Sequence, residues 1–147
     1  MRANFDNKLS ELNKKLLSMA AMTEQIIAMS IKSLEEQDTK LARETVEFDA
    51  KINEAEREVE RICLNLLFQQ QPVFAEDLRR VSAALKMITD IERVGDQAAD
   101  IADLNIQLIK KKQKWDLSDI SEMARAATQM VNDAIDAYVN NDEELAK

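Results

Sequence analysis

Histidine is absent from this chain of 147 residues, and cysteine, glycine, proline, tryptophan and tyrosine occur once each. Without an imidazole there is no histidine-dependent catalytic triad and no nitrogen ligand for a metal, so an ion held here is held by oxygen. The single Cys63 allows no disulfide within the chain. Set in the apolar run RICLNLL, it reads as a small core residue in a reducing compartment. One glycine, one proline and few aromatics leave almost no turn or strand material. No apolar run approaches the ~18 residues that a membrane span needs. The opening MRANFDNKLSEL lacks the apolar core of a signal peptide, so a cytoplasmic location is expected. Positive charge is also in deficit: 20 Lys and Arg stand against 28 Asp and Glu, a formal charge of −8. That balance argues against nucleic-acid binding and suits cations or basic partners.

What remains is helix. Leu9, Leu12, Leu16 and Met19, continued by Ile27, Ile31 and Leu34, predict a helix over about 4–36. Asp38 or Thr39 suits an N-cap for a second. The second carries Leu41, Thr45, Phe48, Ile52, Ala55, Val59, Ile62 and Leu66 in alternating steps of 4 and 3, a coiled-coil-like seam. Pro72 cannot continue it. A third helix follows from Pro72 or Ala75 to Lys110, with the row Leu78, Val81, Leu85, Ile88, Glu92, Gly95, Ala99, Ala102, Ile106 and Ile109. Three helices of ~45–54 Å at 1.5 Å per residue, joined by short links, must lie antiparallel. KKKQK at 110–114 reads as a solvated link whose cations suit a helix C-terminus.

A fourth helix after Asp116 or Ser118 repeats the first. A shift of 104 residues places Leu16 on Ile120, Met19 on Met123, Ile27 on Val131, Ile31 on Ile135, Leu34 on Tyr138, Asp38 on Asp142 and Leu41 on Leu145. The expected architecture is all-α: an elongated antiparallel three-helix bundle over 1–112, spectrin-repeat-like, and the first helix of a second, incomplete repeat over 116–147. That helix must bury its apolar face against the bundle or against another chain, so a homodimer or a swapped assembly is expected.

Two positions in the third row are not apolar, Glu92 and Gly95. A carboxylate on a seam is costly unless it is paired or holds a cation. Asp96, Asp100 and Asp103 continue the row from Glu92 in steps of 4, 4 and 3. Asp49, Asn53, Glu56 and Glu60 form a second polar row on the second helix. If the rows face one another, oxygen ligands meet, with Arg93 and Lys51 close enough in sequence to neutralise some of the charge. Oxygen ligation selects Mg, Ca, Mn or Fe over Zn, and a bare Gly95 lets a helix or an ion approach. The same acids also read as a solvated helix face.

QQQPVFAEDLRRV, between the second and third helices, and DIERVGDQAADIA, within the third, resemble two signatures of the PhoU family of phosphate-signalling and phosphate-transport accessory proteins. The resemblance covers nearly the whole chain. It implies tandem three-helix bundles, of which this chain holds one and the opening of another. It also implies acidic E(D)xxxD metal motifs on the second and third helices, binding iron or zinc clusters in some members. Here the third-helix motif is Glu92 and Asp96; on the second helix Asp49 matches, but Asn53 stands where an acid is usual. A single, weaker ion of Fe, Zn, Mn or Mg is therefore expected, with Glu92, Asp96, Asp49, Asn53 and Asp100 as candidate ligands. The resemblance further implies a non-enzymatic regulator that couples a phosphate ABC transporter to a sensor histidine kinase and reaches the membrane only through those partners. The nominal recognition elements are Asp77 and Arg79, and Glu92, Arg93 and Asp96; for the first pair a local ion pair at the start of the third helix is the plainer reading. The rival classes are a helical scaffold or adaptor with no metal and a carboxylate-bridged metal enzyme. A ferritin-like oxidase usually needs Glu-x-x-His, which a chain without histidine cannot supply.

Overall fold

The computed structural model describes residues 2–69, 74–112 and 115–147. They form α1 (Arg2–Glu35), α2 (Thr39–Gln69), α3 (Ala75–Lys110), α4 (Ser118–Asn140) and the single turn α5 (Glu143–Ala146). The architecture is the expected all-α bundle. Pro72 and the end of the lysine run, Gln113 and Lys114, lie outside the described residues.

The α1–α2 connection shows how the chain turns. Gln37 takes a left-handed conformation, φ 51°, and Asp38 N–H closes α1 by donating to Ser33 O at 3.0 Å. Asp38 Oδ1 then accepts from Leu41 N–H at 3.0 Å, capping α2. The same device recurs one repeat later. Asn141 has φ 54°, Asp142 N–H donates to Ala137 O at 2.8 Å, and Asp142 Oδ1 accepts from Leu145 N–H at 3.0 Å. The 104-residue repeat read from the sequence thus reaches the backbone hydrogen bonds.

The core is built from Leu12, Leu16, Met19 and Ile26 of α1, Ile52, Val59, Cys63 and Leu66 of α2, and Val81, Ala84 and Ile88 of α3, all essentially without solvent contact. Each large aliphatic side chain there contributes about 1.5–3 kcal/mol relative to exposure. Thr23, Ser33, Thr45 and Asn105 are buried as well. The hydroxyls bond to carbonyls of their own helices, and the Asn105 amide donates to Ser33 Oγ at 3.2 Å, joining α3 to α1.

The α3 seam keeps Val81, Ile88, Gly95, Ala99 and Ala102 of the expected row and shifts by one residue at Leu78, Leu85, Glu92 and Ile106, where Asp77, Ala84, Ile91 and Asn105 are buried instead. Leu78 is exposed, and Glu92 flanks the seam half-buried, with Ile91 in the place the sequence row gave to it. Both rows step by 3 and 4; beside Glu92 the apolar Ile91 takes the inward place, and beside Leu78 it goes to Asp77, held there by Arg2. Asp77 is not in a local pair: its buried carboxylate accepts from both Nη atoms of Arg2, at 2.6 and 3.3 Å, tying the start of α1 to the start of α3. The Arg2 guanidinium lies over the rings of Phe5 and Phe74. Arg79 points into solvent.

Helix α4 lies on α1 and buries Ile135 and Ala137, while Tyr138 Oη donates to Arg80 O at 2.8 Å. Ala124, Val131 and Val139 pack partly buried against the core, and the outer edge of the helix is open. Met123 and Met130 are 70% and 72% exposed, and Ile120 is 39% exposed.

Candidate functional site

The two polar rows do face one another. α2 and α3 pack antiparallel with Ile52 against Gly95: a Cβ added at Gly95 would stand 3.1 Å from Ile52 Cδ1 and 3.4 Å from Asp49 Oδ1. The glycine therefore answers two needs. It lets α2 close on α3, and it leaves room for an Asp49 carboxylate oxygen between the helices. A larger residue there would push α2 outward and part the two rows.

Around this contact stand Asp49, Asn53 and Glu56 of α2 and Glu92 and Asp96 of α3, all half-buried. Burial pushes the Asp49 carboxyl up to about 6; the Asp96 carboxylate within hydrogen-bonding reach and the charge of Asp100 push the same way, and the Asn53 amide offsets part of this. Burial pushes Glu92 up to about 7, again with Asp96 as its closest acidic neighbour and with Glu56 and Asp49 behind it. Glu56 is raised by burial and by Glu60 and Asp96. The expected neutralisers stay away. Arg93 reaches Asp90 at 3.8 Å in an exposed pair, and Lys51 lies over the Phe48 ring. Two buried oxygens, Asp49 Oδ1 and Asn53 Oδ1, accept no hydrogen bond from the protein. Each such oxygen is costly unless a proton, a water or a cation reaches it.

Among the described residues no group of three or more Asp, Glu or Cys side chains is already arranged to hold a metal ion. The oxygen-only donors fit a hard cation held by a pair of carboxylates and an amide oxygen, after side-chain rotation and with water completing the shell. They do not fit a preformed multinuclear cluster. Asp100 and Asp103 lie on the exposed side of α3, and Glu60 is exposed on α2. Only Asp100 is near enough for its charge to be felt at Asp49.

The sequence reading missed a second feature. An apolar groove runs between α3 and α4 in two stretches of about 410 and 370 Å³ that share Val94 and Ala127, the first floored by Ile27, Ile31 and Leu34 of α1. Its signal in the sequence was the stripe Met87, Val94, Ile101 on α3, seven residues apart and pointing away from the α2 seam. No helix of the described residues is long and apolar enough to cross a membrane.

Compared with known proteins, residues 16–104 match the model of the PhoU domain. The chain belongs to the PhoU family. It is 35% identical over 145 residues to the phosphate-specific transport system accessory protein PhoU homolog of Clostridium acetobutylicum, covering 99% of this chain and 66% of that protein. It is 28% identical to the phosphate-specific transport system accessory protein PhoU of Escherichia coli K12, covering 94% of this chain and 57% of the relative. The crystal structure of PhoU from Pseudomonas aeruginosa superposes with a TM-score of 0.88 at 30% identity, over 96% of this chain and 68% of that one. The chain thus spans somewhat over half the length of these PhoU relatives, and its helices follow the PhoU fold.

Proposed function

We propose that this chain is a regulatory accessory protein of phosphate uptake: a binding component, not a catalyst, that links a phosphate ABC transporter to a sensor histidine kinase and holds phosphate-starvation genes off when phosphate is plentiful. The observation that carries this reading is the PhoU domain match over residues 16–104, in relatives named as accessory proteins of phosphate-specific transport. The same reading places it in the cytoplasm, makes α4 the opening of a second repeat over 116–147, and makes the protein a homodimer. The decisive experiment is complementation. In a bacterium lacking its own member of the family, expression of the 147-residue chain restores repression of a phosphate-starvation reporter in high phosphate. Full derepression with the protein present and folded would overturn the assignment.

The cation belongs to the same reading. Asp49, Asn53, Glu92 and Asp96 hold one divalent or trivalent ion between α2 and α3, with Asp100 contributing charge rather than a ligand. Bound there, the ion would supply charge compensation for clustered carboxylates and clamp α2 to α3. Mn, Mg, Zn or ferrous ion added to chelator-treated protein raises the melting temperature, as any ligand of the native state does. The rise is lost in Asp49→Asn with Glu92→Gln. An unchanged melting temperature with all four ions favours the adaptor reading, in which a shared proton alone relieves the acids.

A further inference from the structure

We propose that the outer groove between α2 and α3, from Glu56 to the end of α2, docks a basic amphipathic helix of a partner protein. The apolar face of that helix lies on Leu64, Phe68 and Leu78, and its Lys or Arg side chains reach Glu56 and Glu60. The inference rests on the binding role proposed above and names the surface and the chemistry of the contact.

The polar row Asp49, Asn53, Glu56, Glu60 on α2 continues in steps of four as Leu64 and Phe68. On α3 the row Asp96, Glu92 continues toward the N-terminus as Leu85 and Leu78, in steps of seven. The contact of Gly95 with Ile52 sets the register of the antiparallel pair, so Leu78 stands level with the end of α2. Both rows therefore turn from acid to apolar in the same stretch of the bundle. Phe68 is 78% exposed, Leu78 46% and Leu64 41%, while Leu67 and Leu85 lie half-buried beneath them against the core. A contiguous apolar patch of this kind, rimmed by charge, marks an interaction site. It looks away from α4. Leu78 and Met87 are nine residues apart, two and a half turns, so they project from opposite sides of α3. Met87, with Val94 and Ile101, takes the α4 side.

The charges select the partner. Glu56 and Glu60 sit at the acid end of the patch, outside the ligands of the proposed ion. Among the described residues no Lys or Arg forms a salt bridge with either. Glu58, between them in sequence, turns to Lys15 of α1 instead, at 2.8 Å. A groove between two helices takes a third helix, and one that is apolar over one half of its face and basic over the other matches this order of surfaces. An anionic bilayer would be repelled by the same acids. A second copy of this chain, set here about a two-fold axis, would lay its own acids on the apolar end or on Glu56 and Glu60.

The test uses the 147-residue chain and a fluorescent helical peptide of about four turns, with Leu on one half of a single face and Lys on the other half. The wild-type chain raises its anisotropy. Phe68→Ser with Leu78→Ser weakens binding at least about tenfold, as loss of central apolar anchors does, with an unchanged circular dichroism spectrum because both side chains are exposed. Glu60→Lys weakens the lysine peptide and tightens a counterpart that carries Glu in place of Lys. Absence of binding to the wild-type chain overturns the proposal. So does binding that follows Glu60→Lys but ignores the apolar pair, which is diffuse attraction between charges. Capture by phosphatidylglycerol vesicles through Phe68 would reassign the patch to a membrane and overturn it too. In the complementation assay, Phe68→Ser with Leu78→Ser loses repression. Repression kept by that variant overturns this surface and leaves the regulatory reading standing, whereas a wild-type chain that binds the peptide and never represses overturns the regulatory reading alone.

Discussion

Asp49 and Glu92 are acids whose protons are held more tightly in the folded chain than in the unfolded one. A carboxyl with a raised pKa gives the native state the larger proton uptake at pH values between its unfolded and folded pKa, so stability rises as pH falls through that window. With folded values of about 7 for Glu92 and about 6 for Asp49, the gain begins near neutrality and is complete near the ordinary carboxylate range. In chelator-treated protein, melting temperature is therefore expected to be higher at pH about 5.5 than at pH about 8, the reverse of ordinary acid denaturation. Glu92→Gln should flatten the curve; an unchanged slope would show that the proton is held elsewhere. Gly95 gives a second residue-scale test. An exposed helical glycine gains about 1 kcal/mol on becoming alanine, but this Cβ would press on Ile52 Cδ1 at 3.1 Å, and Ile52 has no solvent exposure to yield into. Overpacking of that kind costs about 1–3 kcal/mol, so Gly95→Ala is expected to lower stability by up to about 2 kcal/mol in urea titration. The sequence row placed Gly95 on the buried line; of its four acids, Glu92 and Asp96 are half-buried and Asp100 and Asp103 exposed. It misplaced Glu92 by one residue because two adjacent stripes of α3 carry the same 3–4 spacing, and only α2 decides which is buried.

The helices themselves were legible because their local chemistry is consistent: regular apolar steps, no interior proline, and an aspartate capping α2 and α5. Asp38 and Asp142 form the same cap, yet they should not matter equally. Asp38 starts the 31-residue α2, whose seam fills the core, and Asp38→Ala should cost about 1 kcal/mol, as loss of an N-cap usually does. Asp142 starts a four-residue turn with no buried residue, so Asp142→Ala should leave the melting temperature unchanged. Equal losses at the two sites would mean that α5 packs in solution as it does not here. The Arg2–Asp77 contact was not legible, because nothing in local spacing links residues 75 positions apart. Asp77 is 5% exposed, so Arg2→Ala leaves a buried carboxylate without its partner. That variant should be less stable than Arg2→Ala combined with Asp77→Ala, since a buried charge without compensation is worse than none. Thermal melts of the two variants and the parent would decide it.

At the scale of the molecule, the bundle is not uniformly held. α1, α2 and α3 supply nearly all of the core, whereas α4 fully buries only Ile135 and Ala137, adds Ala124, Val131, Tyr138 and Val139 partly buried, and packs chiefly on α1. Its other ties are single: Tyr138 to a carbonyl of α3, and Ser121 Oγ to Glu35 at 2.6 Å. Elements with few buried apolar contacts open at lower free energy than the core, as separate cooperative units. In native-state hydrogen exchange, amides of α4 should therefore exchange as a group ahead of those of α1–α3. The three-helix core should keep its protection while α4 opens. Uniform protection across all helices would show that α1 holds α4 far more tightly than Ile135, Ala137 and the partly buried residues beside them account for.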